Sequence, residues 1–150
     1  SLAAFFDDEL KRYPTPHNIT FELIETEAVA NFNEVKGFIT MVKRHGAKVF
    51  IDDFGTGYSN ISNILKLEVD GIKIDASLVS QIIKDEEVFL FIQHIASFAN
   101  KVNLILIAEG VENKLVVDKL AKAGIKYMQG YYFAEPAKTL AQQEVPAKAS

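Results

Sequence analysis

Two adjacent carboxylates, Asp52 and Asp53, end an apolar run and open a glycine-punctuated turn in the segment Val49-Phe50-Ile51-Asp52-Asp53-Phe54-Gly55-Thr56-Gly57-Tyr58. Like charges this close repel and raise each other's pKa unless a cation holds them. Carboxylate oxygens suit Mg²⁺, Mn²⁺ or Ca²⁺, and Gly55 and Gly57 let a loop approach a ligand closely. The same stretch also fits a solvated loop whose aspartate caps the next helix. Taken alone, these residues leave both readings open. Neighbouring strand residues point to opposite faces, so the two carboxylates converge only if the strand breaks where they sit.

Further polar groups interrupt apolar runs elsewhere: Glu22 and Glu25, Lys73 and Asp75, Glu109, and Gln129. The elements that must position them alternate between helix and strand. Residues 2–12 have helical spacing and stop at Pro14 and Pro16. Residues 19–25 read as a strand. A helix over 27–45 carries Val29, Phe32, Val35, Phe38, Ile39 and Val42 on one face and stops at Gly46. The central apolar run is a buried strand, followed by a short helix over 59–67. Strands over 71–75, 104–108 and 125–132 enclose helices over 85–100 and 113–123, and the tail from Thr139 reads as polar and unstructured. This alternation predicts an α/β fold with a parallel sheet. In such folds the carboxyl ends of the strands share one side, where ligand sites are built. Residues from 22 to 129 are therefore expected in one pocket. Several acids with a lysine and a glutamine form the inventory of a metal-dependent hydrolase of phosphate esters.

Composition narrows the alternatives. The 150 residues are 49% hydrophobic and 24% charged, enough for one domain with a core. A net charge of −4 gives no broad basic surface for duplex nucleic acid. The absence of cysteine excludes disulfides and thiolate chemistry and permits the cytosol. No serine sits in a nucleophile-elbow sequence, and Asp53-Phe54-Gly55 lacks the other kinase signatures. No run is long and apolar enough for a membrane helix. His17, His45 and His94 fall away from the strand ends and read as surface or helix residues.

Taken in order, these motifs resemble the EAL-domain family, bacterial signalling phosphodiesterases that open cyclic di-GMP to linear pGpG. Glu22-Leu23-Ile24-Glu25 is similar to the family's ELTE segment, and Asp52 to Ser59 matches its DDFGTGYS loop. Lys73-Ile74-Asp75, Ala108-Glu109-Gly110-Val111-Glu112 and Gln129-Gly130-Tyr131 are similar to three further signatures. The resemblance implies a two-metal site, with Mg²⁺ or Mn²⁺ as cofactor. Glu22, Asp52, Asp53 and Glu109 would be its ligands. Lys73 and Glu109 would act on the attacking water or phosphate, Gln129 and Asp75 would line the substrate pocket, and Glu25 and Glu112 would brace the Asp52–Ser59 loop.

The EAL signature itself and the family's metal-binding asparagine have no counterpart here, and Ile24 stands where threonine is usual. The resemblance therefore implies a partial TIM-like (β/α) barrel of about five of the eight βα units. Residues 1–138 would be the C-terminal portion of an EAL domain, and 139–150 a tail. Opening on Ser1, the chain reads as a piece of a larger cytoplasmic protein, for which the resemblance suggests an upstream GGDEF or sensor domain. Expected partners are cyclic di-GMP and a second copy of the chain. With two ligands of the first metal missing, weak or absent metal binding and no turnover are expected of this chain alone. A non-catalytic module that binds cyclic di-GMP or a protein, or a dimerisation scaffold, are the alternatives.

Overall fold

Alternation in the strands, interrupted in β2 between Ile51 and Phe54, sorts their side chains onto two faces. The computed structural model describes residues 2–56, 61–133 and 144–146. Among them, a six-stranded sheet has the order β1 (Thr20–Ile24), β2 (Lys48–Phe54), β3 (Gly71–Ile74), β4 (Ile105–Ala108), β5 (Tyr127–Gln129) and β6 (Glu144–Pro146). The first five run parallel and β6 is antiparallel to β5. Each parallel strand leads through helix to the next: α2 (Glu25–Ala30) and α3 (Phe32–Arg44), α4 (Ile61–Leu65), α5 (Ala76–Val79) and α6 (Glu86–Val102), then α7 (Lys114–Lys122).

On one face Val49, Ile51, Ile72, Ile74, Leu106, Ala108 and Met128 join Ile39, Val42, Ile64, Ile92, Ile95, Val117 and Leu120 of the helices in a single core. Phe50 and Ile107 are also buried but lie outside that core, on the opposite face. The helix α1 (Leu2–Arg12) docks through Phe6, whose ring meets Phe21 of β1 and Phe38 of α3 edge-on at 5.4 and 5.7 Å.

Several expected boundaries move, each for a local reason. The helix expected over 27–45 is two helices parted at Asn31, whose φ of −119° and ψ of 45° are not helical. Helix α2 already begins at Glu25, so this glutamate opens a helix instead of closing a strand. Strand β3 stops at Ile74, because the Ser77 backbone N–H donates to Asp75 Oδ2 at 2.8 Å and starts α5, a helix the sequence pattern did not suggest. Strand β5 ends at Gln129. A side chain at Gly130 (φ 147°) would collide with the Val111 backbone, which bonds across this turn to Gln129 O and Tyr132 N–H. The tail, expected to lack structure, contributes strand β6; its other residues and the 57–60 part of the glycine loop lie outside the described residues.

Candidate functional site

The two adjacent carboxylates do converge, and a bulge is the cause. Ile51 pairs with Ile72 and Phe54 with Ile74, so β2 spends one residue more than β3 over the same interval. Asp53 takes up the extra residue at φ 58°, a left-handed conformation that aspartate tolerates better than most residues. Its backbone N–H donates to Asp52 Oδ1 at 2.8 Å. The bulge returns Phe54, fully buried, to the core face. It also leaves Asp52 and Asp53 on the same side.

At the end of β4, Glu109 meets them. Asp52, Asp53 and Glu109 each offer a carboxylate oxygen, all within 4.8 Å of one another. Burial, followed by a hydrogen bond shared with Asp52 and that residue's charge, pushes the Glu109 carboxyl up to about 8. The same hydrogen bond holds Asp52 below the usual range, so the Asp52–Glu109 pair keeps one proton between its two carboxyls. Asp53 is raised by burial and by the charges of Asp52 and Asp75.

Lys73, largely buried on β3, pairs with Glu22 at 2.5 Å. Burial works against its charge, but Glu22, Glu109 and Asp52 outweigh it and raise its pKa. The structure thus gathers Asp52, Asp53 and Glu109 in one cluster and sets the Glu22–Lys73 pair beside it. Asp75 shares a side-chain hydrogen bond with Asp53 while capping α5. Gln129 is half-buried at the end of the adjacent strand β5. Glu25 is buried beside β1, and Glu112 is exposed just before α7. Whether these two brace the glycine loop turns on residues 57–60, outside the described set.

The donors are all hard oxygens, and buried Glu109 Oε1 has no hydrogen-bond partner among the described residues. An orphaned buried oxygen beside two further carboxylates fits a divalent cation of the Mg²⁺ or Mn²⁺ type. The chemistry available is general-base catalysis beside a fixed ammonium, with a place for a cation. Sequence reasoning overlooked the left-handed Asp53 and the seating of the Phe50 ring over Gly71, where a Cβ would collide with it. The pairing of a bulky aromatic with the strand glycine was the available signal.

A family model described as the EAL domain matches residues 1–136. The chain belongs to the EAL-domain family. It is 34% identical over 133 residues to the cyclic di-GMP phosphodiesterase PdeA of Borreliella burgdorferi, an alignment that covers 88% of this chain and 20% of that protein. It is 33% identical over 130 residues to the Escherichia coli oxygen sensor protein DosP, covering 87% of this chain and 16% of that protein. The chain thus spans about a fifth or less of these curated relatives. Among solved structures, Klebsiella pneumoniae BlrP1 in a manganese and cyclic di-GMP complex superposes with a TM-score of 0.79 at 26% identity, over 96% of this chain and 35% of that one. The FimX EAL domain from Pseudomonas aeruginosa bound to cyclic di-GMP gives 0.78 at 26% identity, over 89% and 55%. The EAL-domain sheet is accordingly a partial TIM-like (β/α) barrel, with the cluster at the carboxyl ends of its strands.

Proposed function

We propose that this EAL module is part of the catalytic centre of a cyclic di-GMP phosphodiesterase, and that residues 1–138 constitute the module. The observation that carries the reading is the convergence of Asp52, Asp53 and Glu109 beside Lys73 at one end of the sheet. The phosphodiesterase activity of the PdeA relative and the manganese and cyclic di-GMP bound by BlrP1 support it. Asp52, Asp53 and Glu109, with Glu22 alongside, would hold a divalent cation, which when bound lowers the pKa of water and offsets charge developing on the phosphate. Glu109 shares one proton with Asp52; once deprotonated, its carboxylate is placed to take the proton of an attacking water at Oε1 or Oε2. Lys73, held by Glu22, presents an ammonium to a phosphoryl oxygen. Gln129 and Asp75 border the space a nucleotide would fill. The reading extends to a larger parent protein, with an upstream GGDEF or sensor domain, and to a homodimer, which light scattering on the purified chain would reveal.

Among the described residues β1 and β6 are the two edges of the sheet and do not pair with each other. With the rim open between these edges among the described residues, and two ligands of the first metal without a counterpart, the 150-residue chain is expected to bind metal at most weakly and to release no pGpG. Titration with Mn²⁺ and then with cyclic di-GMP, with hydrolysis followed on the same sample, tests both parts. Binding lost in Asp53→Asn supports the site. Turnover by this chain would contradict the expectation of inactivity, and nucleotide binding indifferent to Asp53→Asn would refute the site.

A further inference from the structure

At the other end of the sheet from the cluster, where β4 and β5 begin at Ile105 and Tyr127, a groove runs between α6 and the turn from α7 into β5. Small residues keep it open: Ala96 and Ala99 line it from α6 and Gly124 from the turn. Gly124 has a φ of 96°, and a Cβ there would lie 3.5 Å from that of Ala96, so a side chain would narrow the groove and strain the turn. Two connected hollows of about 270 and 560 Å³ result, and both are lined by Ala96, Asn100, Gly124 and Lys126. The smaller has an apolar floor of Ala99, Leu104 and Leu106, with Asn103 and Tyr127 beside it. The larger is polar, lined by Gln93, His94, Ser97 and Lys122. Its size falls within the roughly 300–1,000 Å³ of small-molecule sites.

Charge says what would fill it. The chain has 20 acidic residues against 16 basic ones, yet no carboxylate lines either hollow among the described residues. Lys122 and Lys126 form no ion pair with a described carboxylate. Lys126 Nζ donates instead to Asn100 Oδ1 at 3.2 Å, which holds the ammonium at the junction of the two hollows. A lysine in the last turn of a helix commonly offsets the helix dipole. Here the closing carbonyls of α7 are already occupied: Lys119, Leu120 and Ala121 accept the N–H groups of Ala123, Ile125 and Gly124. Two ammonium groups without carboxylates suit a phosphate. At the apolar end, the amides of Asn100 and Asn103 offer donors and acceptors to the edge of a base, and the exposed Tyr127 ring offers it an aromatic face. We propose that this groove is a second ligand site, which takes a nucleoside monophosphate with its phosphate on Lys122 and Lys126 and its base towards Tyr127. It is independent of the carboxylate cluster and of any cation held there.

The test is calorimetric titration of the full chain with adenosine 5′-monophosphate in EDTA, which keeps the carboxylate cluster free of cations. Wild type is compared with Lys126→Gln, the double variant Lys122→Gln/Lys126→Gln, Tyr127→Leu and Asp53→Asn, each matched to the wild type by circular dichroism. Expected are about a tenfold loss of affinity in Lys126→Gln, a larger loss in the double variant and none in Asp53→Asn. Adenosine and inorganic phosphate should each bind more weakly than the nucleotide, and Tyr127→Leu should weaken the nucleotide while leaving inorganic phosphate unchanged. No binding of the nucleotide by the wild type, or equal binding by the double lysine variant, would overturn the proposal. Binding lost in Asp53→Asn and kept in the lysine variants would put the nucleotide at the cluster and overturn the groove alone. Inorganic phosphate bound as tightly as the nucleotide would overturn the assignment of a base to the Tyr127 end.

Discussion

The two faces of the sheet come from the same strands, residue by alternate residue, yet they are built to opposite rules. Towards the helices, Ile51, Phe54, Ile72 and Ile74 are fully buried and purely apolar. Towards the interior of the arc, Glu22, Asp52, Lys73, Glu109 and Gln129 interleave with Phe50 and Ile107, and Ile24 is left 45% exposed. One face fixes the strands. The other uses that rigidity to hold a concentration of like charge that would be unfavourable in a flexible chain. The bulge at Asp53 is where the two rules meet, since it serves the core with Phe54 and the site with a second carboxylate.

The strongest way to separate the faces is one substitution made on each. Ile51→Ala empties a fully buried position and should cost about 2–5 kcal/mol, the range for large-to-small changes in a packed core. Ile24→Ala, on the face lacking helices, should stay within about 1 kcal/mol. Urea denaturation of both variants measures the difference. Equal costs would mean that the inner face is packed in solution as tightly as the outer.

How far the sequence carried this comparison depends on the kind of signal. Unbroken β-branched runs such as Ile105–Ala108 and glycine stops such as Gly46 located strands and turns within a few residues, because apolar burial and chain reversal are local properties. Glu22 and Glu109 stood out because a charge inside an apolar strand needs a partner, whereas Lys73 shares its Gly-x-Lys triplet with two other turns and was singled out by the Ile74-Asp75 that follows it and by the family spacing. The break at Asn31 was hidden because the apolar spacing of α2 and α3 runs on through it. Convergence of Asp52 with Asp53 needed the β2–β3 register, which no local pattern contains. Pairing of Glu144 with Gln129 was likewise beyond reach: the tail is polar, and its strand exists only because the β5 edge accepts it.

Protonation offers a subtler contrast. Glu109 is raised from 4.5 to about 8 in the fold, so between those values the folded chain holds a proton that the unfolded chain has released. Without added cation, stability should be greatest at the acid end of that window and fall as pH rises towards 8. Asp52 is lowered from 3.8, and its contribution has the opposite sign: it is present above 3.8 and lost as acid protonates it in the fold, outside the Glu109 window. Glu109→Gln should flatten the decline, whereas Ile51→Ala should shift the whole curve down without changing its slope. Chemical denaturation across pH 4.5–8 checks this. A wild-type curve that rises with pH through that window would refute a proton shared between Glu109 and Asp52.

The smallest expected effect concerns the ion pair beside the cluster. Glu22 is 42% exposed and Lys73 12%, so the pair is solvated on the glutamate side and largely desolvated on the lysine side. A solvated partner limits the Coulomb gain, and a double-mutant cycle of Glu22→Gln with Lys73→Met should give a coupling of about 0.5–1 kcal/mol. Losing Glu22 alone does not strand the lysine, because Asp52 and Glu109 also favour its charged form. Affinity separates the remaining roles. A Glu22 that only steadies Lys73 should leave Mn²⁺ binding unchanged when replaced by Gln, whereas a ligand should weaken it. The ligand reading also requires the side chain to leave the lysine when the cation enters. Adding Mn²⁺ should then lower the coupling energy measured in the cycle. An unchanged coupling would confine Glu22 to the ion pair and leave Asp52, Asp53 and Glu109 as the described core of the site.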